Sequence, residues 1–275
     1  MRPIITIRTA IAAMVLASAA APCQETDPPR SLKYSYAAVL GSGVYFLEDR
    51  TLLVLRVPFK KTLKEPQVGK WGSRLLMPVT FGYKQYDEEL YPDAPDSLAS
   101  LSFVPGIELE YKPNADWAIK PFAHIGIGVD LDSRARDAIW ALGIRTRGDI
   151  RHATPLMTFG AELLYASNEP EVEDFSDSFT RLGIGLDFRF PLKMTIGSRS
   201  TSFNTHLVGY EYVRDVDFAP EVGEFYESGT TVEVGLALGL DPPLRLMGFS
   251  LDRVGLGFRY GSHQKSIILV RKFPF

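Results

Sequence analysis

The stretch LGIGLDFRFPL, from Leu182 to Leu192, alternates strictly between two kinds of residue. Its even positions are all large and apolar, whereas its odd positions are glycine, charged or proline. A period of two predicts a β-strand with one apolar face. A soluble sheet with one buried face would show the same period, so a single strand does not decide between a soluble and a membrane-spanning sheet.

The same alternation recurs in other parts of the chain, and this repetition decides the fold. Trp117–Val129, Thr231–Leu240 and Val254–Gly261 each place large apolar residues on one face, with glycine and charged residues on the other. A packed soluble core does not suit a face that mixes glycine with charge, whereas a narrow polar lumen does. The sequence therefore predicts an all-β protein, a transmembrane antiparallel up-and-down β-barrel.

About twelve strands follow from this pattern, and ten remain possible because the first and the ninth alternate poorly. The predicted strands lie near residues 34–46, 51–63, 72–86, 99–112, 117–130, 137–148, 153–167, 179–193, 200–213, 229–241, 251–261 and 264–275. Strands of roughly 9 to 11 residues suffice to cross a bilayer when tilted.

The amino-terminal segment has the pattern of a secretory leader. Arg2 and Arg8 precede an apolar run, and small residues follow from Ala17 to Ala21. This three-part order predicts a signal peptide at 1–19, followed by a short periplasmic tail at 20–31 and the barrel at 32–275. An exported protein that crosses a membrane with strands is expected in the outer membrane of a Gram-negative bacterium.

The last twelve residues, Gln264 to Phe275, read QKSIILVRKFPF, an apolar-rich strand that stops on an aromatic residue. An outer-membrane barrel typically ends on such a strand. Phe273 and Phe275 are therefore predicted as the signal that the barrel-assembly machinery reads during biogenesis. Phe273 is also a candidate for an interfacial aromatic girdle.

The connections between strands supply an independent signal. With the amino-terminus in the periplasm, three connections on the outer side of the membrane are long and acidic, at residues 87–97, 168–178 and 214–227. Shorter links such as Pro113–Asp116 and Gly148–Arg151 lie on the periplasmic side. Outer-membrane lipid and lipopolysaccharide are the expected partners, and a formal net charge of -3 does not suggest nucleic-acid binding.

Several of these segments resemble the solitary outer-membrane autotransporter-like β-barrel family of Gram-negative bacteria. They are AAVLGSGVYFLEDRTLLVLRVPF (37–59), WGSRLLMPVTFGY (71–83), LSFVPGIELEY (101–111), RLGIGLDFRFPL (181–192) and VRKFPF (270–275). The likeness covers about 32–275. It implies a barrel related to autotransporter translocators that stands alone. The stretch at 20–31 is too short for a passenger domain, so none is expected.

Catalytic groups are sparse. Of the four histidines, His124 lies on the lumenal face, and His152 and His263 fall in or beside turns. His206 has no obvious orienting acid, although Glu211 and Asp215 are nearby in sequence. We predict no catalytic site, no metal site and no cofactor. The alternative hypothesis is an outer-membrane hydrolase, lipase-like or protease-like, that uses a rim or lumenal histidine.

By alternation the lumen receives charges of both signs. The predicted lumen-lining residues are Arg56, Glu108, Lys120, His124, Arg145, Glu162, Asp187, Arg189, Glu233 and Arg259. Such charges either pair into a ladder that closes the pore or line opposite walls of a small passage. The sequence thus favours a structural or narrow-pore role. A soluble periplasmic β protein is disfavoured, because its faces of glycine and charge would have to form a core.

Overall fold

The structure is a computed structural model of the chain. It describes residues 40–47, 50–86, 97–132, 134–150, 155–170, 177–214, 229–246, 249–261 and 264–275. The predicted signal peptide, the predicted periplasmic tail at 20–31 and residues 34–39 of the predicted first strand lie outside these residues. No helix in the described ranges has the length and apolar character needed to cross a membrane.

The described residues form one antiparallel sheet that closes on itself. Its strands are β1 (Gly43–Leu47), β2 (Arg50–Lys64), β3 (Trp71–Tyr86), β4 (Ser97–Phe103), β5 (Gly106–Tyr111), β6 (Trp117–Asp130), β7 (Arg136–Ile150), β8 (Leu156–Pro170), β9 (Asp177–Ile196), β10 (Arg199–Arg214), β11 (Gly229–Leu246), β12 (Phe249–Gly261) and β13 (Gln264–Val270). Consecutive strands pair, except that β4 and β5 each pair with β3 and β6, and β1 pairs with β13. The predicted barrel is confirmed.

β4 and β5 share one position in the barrel wall. Both pair with β3 and with β6. They were expected as a single strand at 99–112, but the ladder is interrupted at Pro105, which has no N–H to donate. The Pro105 carbonyl still accepts a hydrogen bond from the Ile125 N–H at 2.9 Å. The wall is therefore twelve strands round, as predicted.

The seam between β1 and β13 is short. Gly43 lies opposite Ile268 and Tyr45 opposite Ser266. The Leu269 N–H extends the seam by donating to the Ser42 carbonyl at 2.8 Å. A Cβ atom at Gly43 would lie 2.9 Å from the Ile268 Cα, so glycine permits this close approach.

The two faces of the wall differ in the way that the alternation predicts. Large apolar side chains on the outward face remain exposed, among them Ile125, Ile127, Leu142, Leu163, Leu236, Leu256 and Phe258. Inward positions of the same strands carry buried small or polar residues such as Ala237, Glu162 and Arg259.

The end of the barrel at which β1 begins and β13 ends is called the turn end below. The links at 65–70, 112–116 and 197–198 lie at this end. The predicted turn at Gly148–Arg151 is largely wrong, because Gly148 to Ile150 continue β7. The three acidic connections predicted at the opposite end lie mainly outside the described residues.

Gly255 is predicted to be required by close packing of β12 against β11. A Cβ atom there would lie 2.6 Å from the Cβ of Ala237 and against the main chain of β11. Gly255→Val is expected to destabilise the barrel by about 1–3 kcal/mol, because the overlap forces the strands apart. The measurement is the temperature at which the compact form of the protein is lost on a gel run without boiling.

Gly209→Val is the matched control, because a Cβ atom at Gly209 meets no atom within 4 Å. This variant should keep the transition temperature of the parent protein. Equal transition temperatures for the two variants would contradict the assigned register.

The barrel lumen as candidate functional site

The inward face of the wall collects most of the charged side chains. Glu108, Glu162, Asp187, Glu233 and Arg259 are buried, and Arg56, Lys120, His124, Arg145 and Arg189 are half-buried. All ten lie at inward positions of their strands, so the structure brings them to one lumen. Two further lumenal arginines, Arg181 and Arg253, are buried as well. Extending the alternation by one residue before Leu182 and Val254 would have found both.

A continuous row of ion pairs follows one side of the lumen. Arg74 Nη1 lies 3.1 Å from Glu108 Oε1, and Arg145 Nη1 lies 3.4 Å from Glu108 Oε2. Arg145 Nε donates to Glu162 Oε2 at 2.6 Å, and Arg181 Nη2 donates to Glu162 Oε1 at 2.5 Å. The row connects β3, β5, β7, β8 and β9. In this row, each carboxylate oxygen of Glu108 and of Glu162 thus contacts its own arginine.

Two more clusters occupy the other side. Glu233 accepts from Arg259 Nη2 at 2.6 Å, and its second oxygen lies 2.8 Å from His206 Nε2. Arg253 holds Asp187 with two hydrogen bonds, at 2.5 Å and 2.9 Å. Because β10 and β11 separate the strands of Arg253 and Asp187, this pair spans part of the lumen. The fork of two parallel bonds is the strong form of an arginine–carboxylate contact.

The histidines show no arrangement for nucleophilic catalysis in the part of the chain that the structure describes. The expectation that His206 lacks an acid is wrong, because Glu233 approaches it from the neighbouring strand. His124 Nδ1 lies 3.1 Å from the Val104 carbonyl. Neither ring is hydrogen-bonded to a hydroxyl or thiol. His152 and His263 lie outside the described residues.

Metal-ligating side chains are likewise dispersed among the described residues. No group of three or more His, Cys, Asp or Glu side chains there is placed to hold a metal ion. The carboxylates of the lumen are instead held by arginine, as in the contacts of Glu162 and Asp187.

Residues Arg271 to Phe275, called the tail segment below, enter the lumen. The predicted strand at 264–275 ends early, at Val270. β1 begins opposite Ile268, and within the tail segment Pro274 has no N–H to offer to a ladder. Phe273 is 2% exposed and Phe275 4% exposed. The prediction of an interfacial girdle role for Phe273 is therefore wrong.

Phe275 lies on a flat seat of glycines on the opposite wall. A Cβ atom at Gly160, Gly183 or Gly185 would lie 2.6 Å, 3.2 Å or 3.0 Å, respectively, from an atom of the Phe275 ring. Phe273 packs edge-on against Phe275, with ring centroids 5.1 Å apart, and its ring lies 6.1 Å from that of His206. The tail segment thus crosses the lumen from β13 to the wall of β8, β9 and β10.

A cavity of about 780 Å³ opens at the turn end, and it is called the vestibule below. It lies between the ends of β2, β3, β5, β6 and β7. Charged side chains of both signs line it, including Lys60, Arg74, Glu110, Lys120 and Asp149. The lumen therefore combines a water-accessible entrance with an obstructed centre.

Glu162 is predicted to be essential for stability, because it neutralises two arginines at once. Its side chain is 3% exposed, so Glu162→Gln would leave Arg145 and Arg181 buried without their counter-charge. We expect a loss of about 3–5 kcal/mol in the free energy of unfolding. Circular dichroism of the protein in detergent, followed over a denaturant series, would measure it.

The rim pair of Arg147 and Asp149 supplies the control. These side chains are 38% and 35% exposed and lie 3.1 Å apart. Asp149→Asn should cost less than about 1 kcal/mol, because solvent screens an exposed pair. A cost for Glu162→Gln no larger than this would show that the row of ion pairs is not a structural element.

Comparison with known proteins supports the fold. No family model and no curated protein matches the sequence. Among solved structures, the chain is similar to the β domain of the Bordetella autotransporter Brka, with a TM-score of 0.57 and 11% identity over 83% of this chain and 92% of that one. It also matches the KdgM porin in complex with disordered oligogalacturonate, with a TM-score of 0.42 and 11% identity over 82% and 93%. The likeness to the first structure shows that the chain has an autotransporter-like outer-membrane barrel fold, as the sequence resemblance implied.

Proposed function

We propose that this protein is an integral barrel of a Gram-negative outer membrane and acts, without catalysis, as a narrow polar pore that its own tail segment obstructs. The observation that carries the proposal is the lumen. A water-accessible vestibule opens at the turn end, and charged side chains line the wall of the lumen. Phe273 and Phe275 cross this lumen. A wall with only a structural role would not need an entrance of this size.

Membrane insertion is supported by the outward face. Its exposed large apolar side chains form a surface much too extensive for a soluble monomer. A closed sheet also satisfies the backbone where lipid offers no hydrogen bonds. β7 has 15 residues, and at about 3.3 Å per residue it exceeds the roughly 25 Å apolar band even when tilted.

Lipid and lipopolysaccharide would be the partners of this outward face. At the end opposite the turn end, Lys265 Nζ lies 5.8 Å from the centre of the Tyr260 ring, and both side chains are exposed. An aromatic ring with an adjacent ammonium group suits the boundary between acyl chains and phosphate-bearing headgroups.

The barrel-assembly machinery would be a partner only during folding. Phe273 and Phe275 are almost fully buried in the folded barrel. Recognition of these aromatic residues by the machinery therefore has to precede the entry of the tail segment into the lumen.

The orientation of the two faces can be tested by spin labelling. Cys23 is the only cysteine, so Cys23→Ser gives a background for single labels. A label at Leu236→Cys, an outward site that is 47% exposed, should be accessible to oxygen dissolved in lipid. A label at Thr62→Cys, which lines the vestibule, should be accessible to a water-soluble nickel chelate.

The labelled proteins would be reconstituted in vesicles and compared by power-saturation spectroscopy. Water contact at Leu236→Cys would overturn the membrane assignment. Lipid contact at Thr62→Cys would overturn the assignment of the lumen.

The obstructing role of the tail segment can be tested by conductance. Phe273→Ala combined with Phe275→Ala removes both rings from the lumen, so single-channel conductance in a planar bilayer should rise severalfold over a small parent value. Phe258→Ala, which removes an outward-facing ring, is the control and should leave conductance unchanged. Unchanged conductance in the double variant, with the barrel intact by gel mobility, would contradict the proposal.

A further inference from the structure

The vestibule contains ammonium groups that form no salt bridge. Lys60 and Lys120 line it from β2 and β6, and neither makes an ion pair within the part of the chain that the structure describes. Lys272, in the tail segment, also makes no ion pair there, and it lies outside the lining of the vestibule. Two ammonium groups thus face the cavity, with a third beside it.

The acidic groups on the vestibule wall are already engaged. Glu110 is held by Arg74 at 2.5 Å and by Lys112 at 3.6 Å. Asp149 is held by Arg147 at 3.1 Å. These carboxylates therefore have cationic partners on the wall, whereas Lys60 and Lys120 form no salt bridge and add positive charge to it.

The remaining acidic lining residues lie at the mouth. Glu65 belongs to the link between β2 and β3, and Asp116 to the link between β5 and β6. Both links are at the turn end, so these residues lie at the entrance. The lining carries charges of both signs, and the two ammonium groups without a salt bridge lie on β2 and β6.

The lysines are close enough to act together. Lys272 lies within electrostatic reach of Lys60, Lys120 and Arg145, and also of the Glu108 carboxylate. Like charges held in a confined site with low-dielectric walls repel each other more strongly than in free solution. A single anion that carries several negative charges would relieve this repulsion better than separate monovalent ions.

We infer that the vestibule is a binding site for a multivalent oxyanion, a small solute with clustered phosphate or carboxylate groups. Ammonium groups act as compact charges with three rotatable donors, so they accept either kind of oxyanion. The volume of about 780 Å³ is that of a ligand site rather than of a single ion. The inference deepens the proposed pore by naming its solute class, and it rests on that proposal only for transport.

Binding can be measured without transport. We would titrate the full-length protein in detergent with tripolyphosphate in one series and with citrate in another, using isothermal calorimetry at low salt. The parent protein is expected to bind at least one of them, and binding should weaken as salt rises. Lys60→Gln combined with Lys120→Gln should lower the affinity about tenfold.

Lys61→Gln is the matched control. Lys61 is the residue next to Lys60 in β2, so its side chain points to the outward face, and the variant should bind as the parent does. Binding of tripolyphosphate alone or citrate alone supports the site and assigns it to phosphate or carboxylate solutes. Failure of both anions to bind, or equal affinity in the parent and the double variant, overturns it.

The two proposals fail separately. A protein that binds the anions but shows no conductance even without the tail rings contradicts the pore and leaves the site standing. A protein that conducts but binds neither anion contradicts only the site.

Discussion

Closure of the sheet is the constraint on which the rest of the structure depends. An open sheet edge leaves backbone N–H and C=O groups unpaired, and closure removes both edges. Here the first and last strands meet over a short seam, since β1 has only 5 residues, and Gly43 and Ser42 let it lie close to β13. Once the sheet is closed, every side chain of a strand points either outward or to the lumen.

The division of side chains between an outward and a lumenal face explains why so many charged groups meet in the lumen. An ionised group that points inward leaves bulk water, and it is tolerated only where an opposite charge meets it. The row from Arg74 to Arg181 satisfies this on one side, and Glu233 with Arg259 satisfies it on the other. The lysines of the vestibule do not need such partners, because water reaches them there.

The alternation of apolar and polar residues is a property of the local sequence, so it predicted features that depend on the local sequence alone. It placed Glu162, Asp187 and Glu233 in the lumen, and the strand count of twelve followed from it. It could not predict which charged side chains pair with each other, because these pairs depend on strand register and on the width of the lumen. Glu233 reaches His206 through the register of β10 with β11, and Arg253 reaches Asp187 past two intervening strands.

The alternation did not show what the lumenal glycines contact. Gly160, Gly183 and Gly185 form the seat that the Phe275 ring fills. No local pattern links these positions to a residue about 90 or more positions later in the chain. The final strand misled for the same reason, since its last residues enter the lumen towards Gly160 instead of continuing the ladder, and this is a tertiary contact.

The tail segment connects the last strand to a distant part of the wall. Its seat is built by β8, β9 and β10, and the tail reaches it from β13, the strand that closes the barrel. Burial of its two phenylalanine side chains contributes roughly 1.5–3 kcal/mol each. The position of these rings is set by the pairing of β13 with β1 and β12, so the entry of the tail segment into the lumen is a consequence of closure.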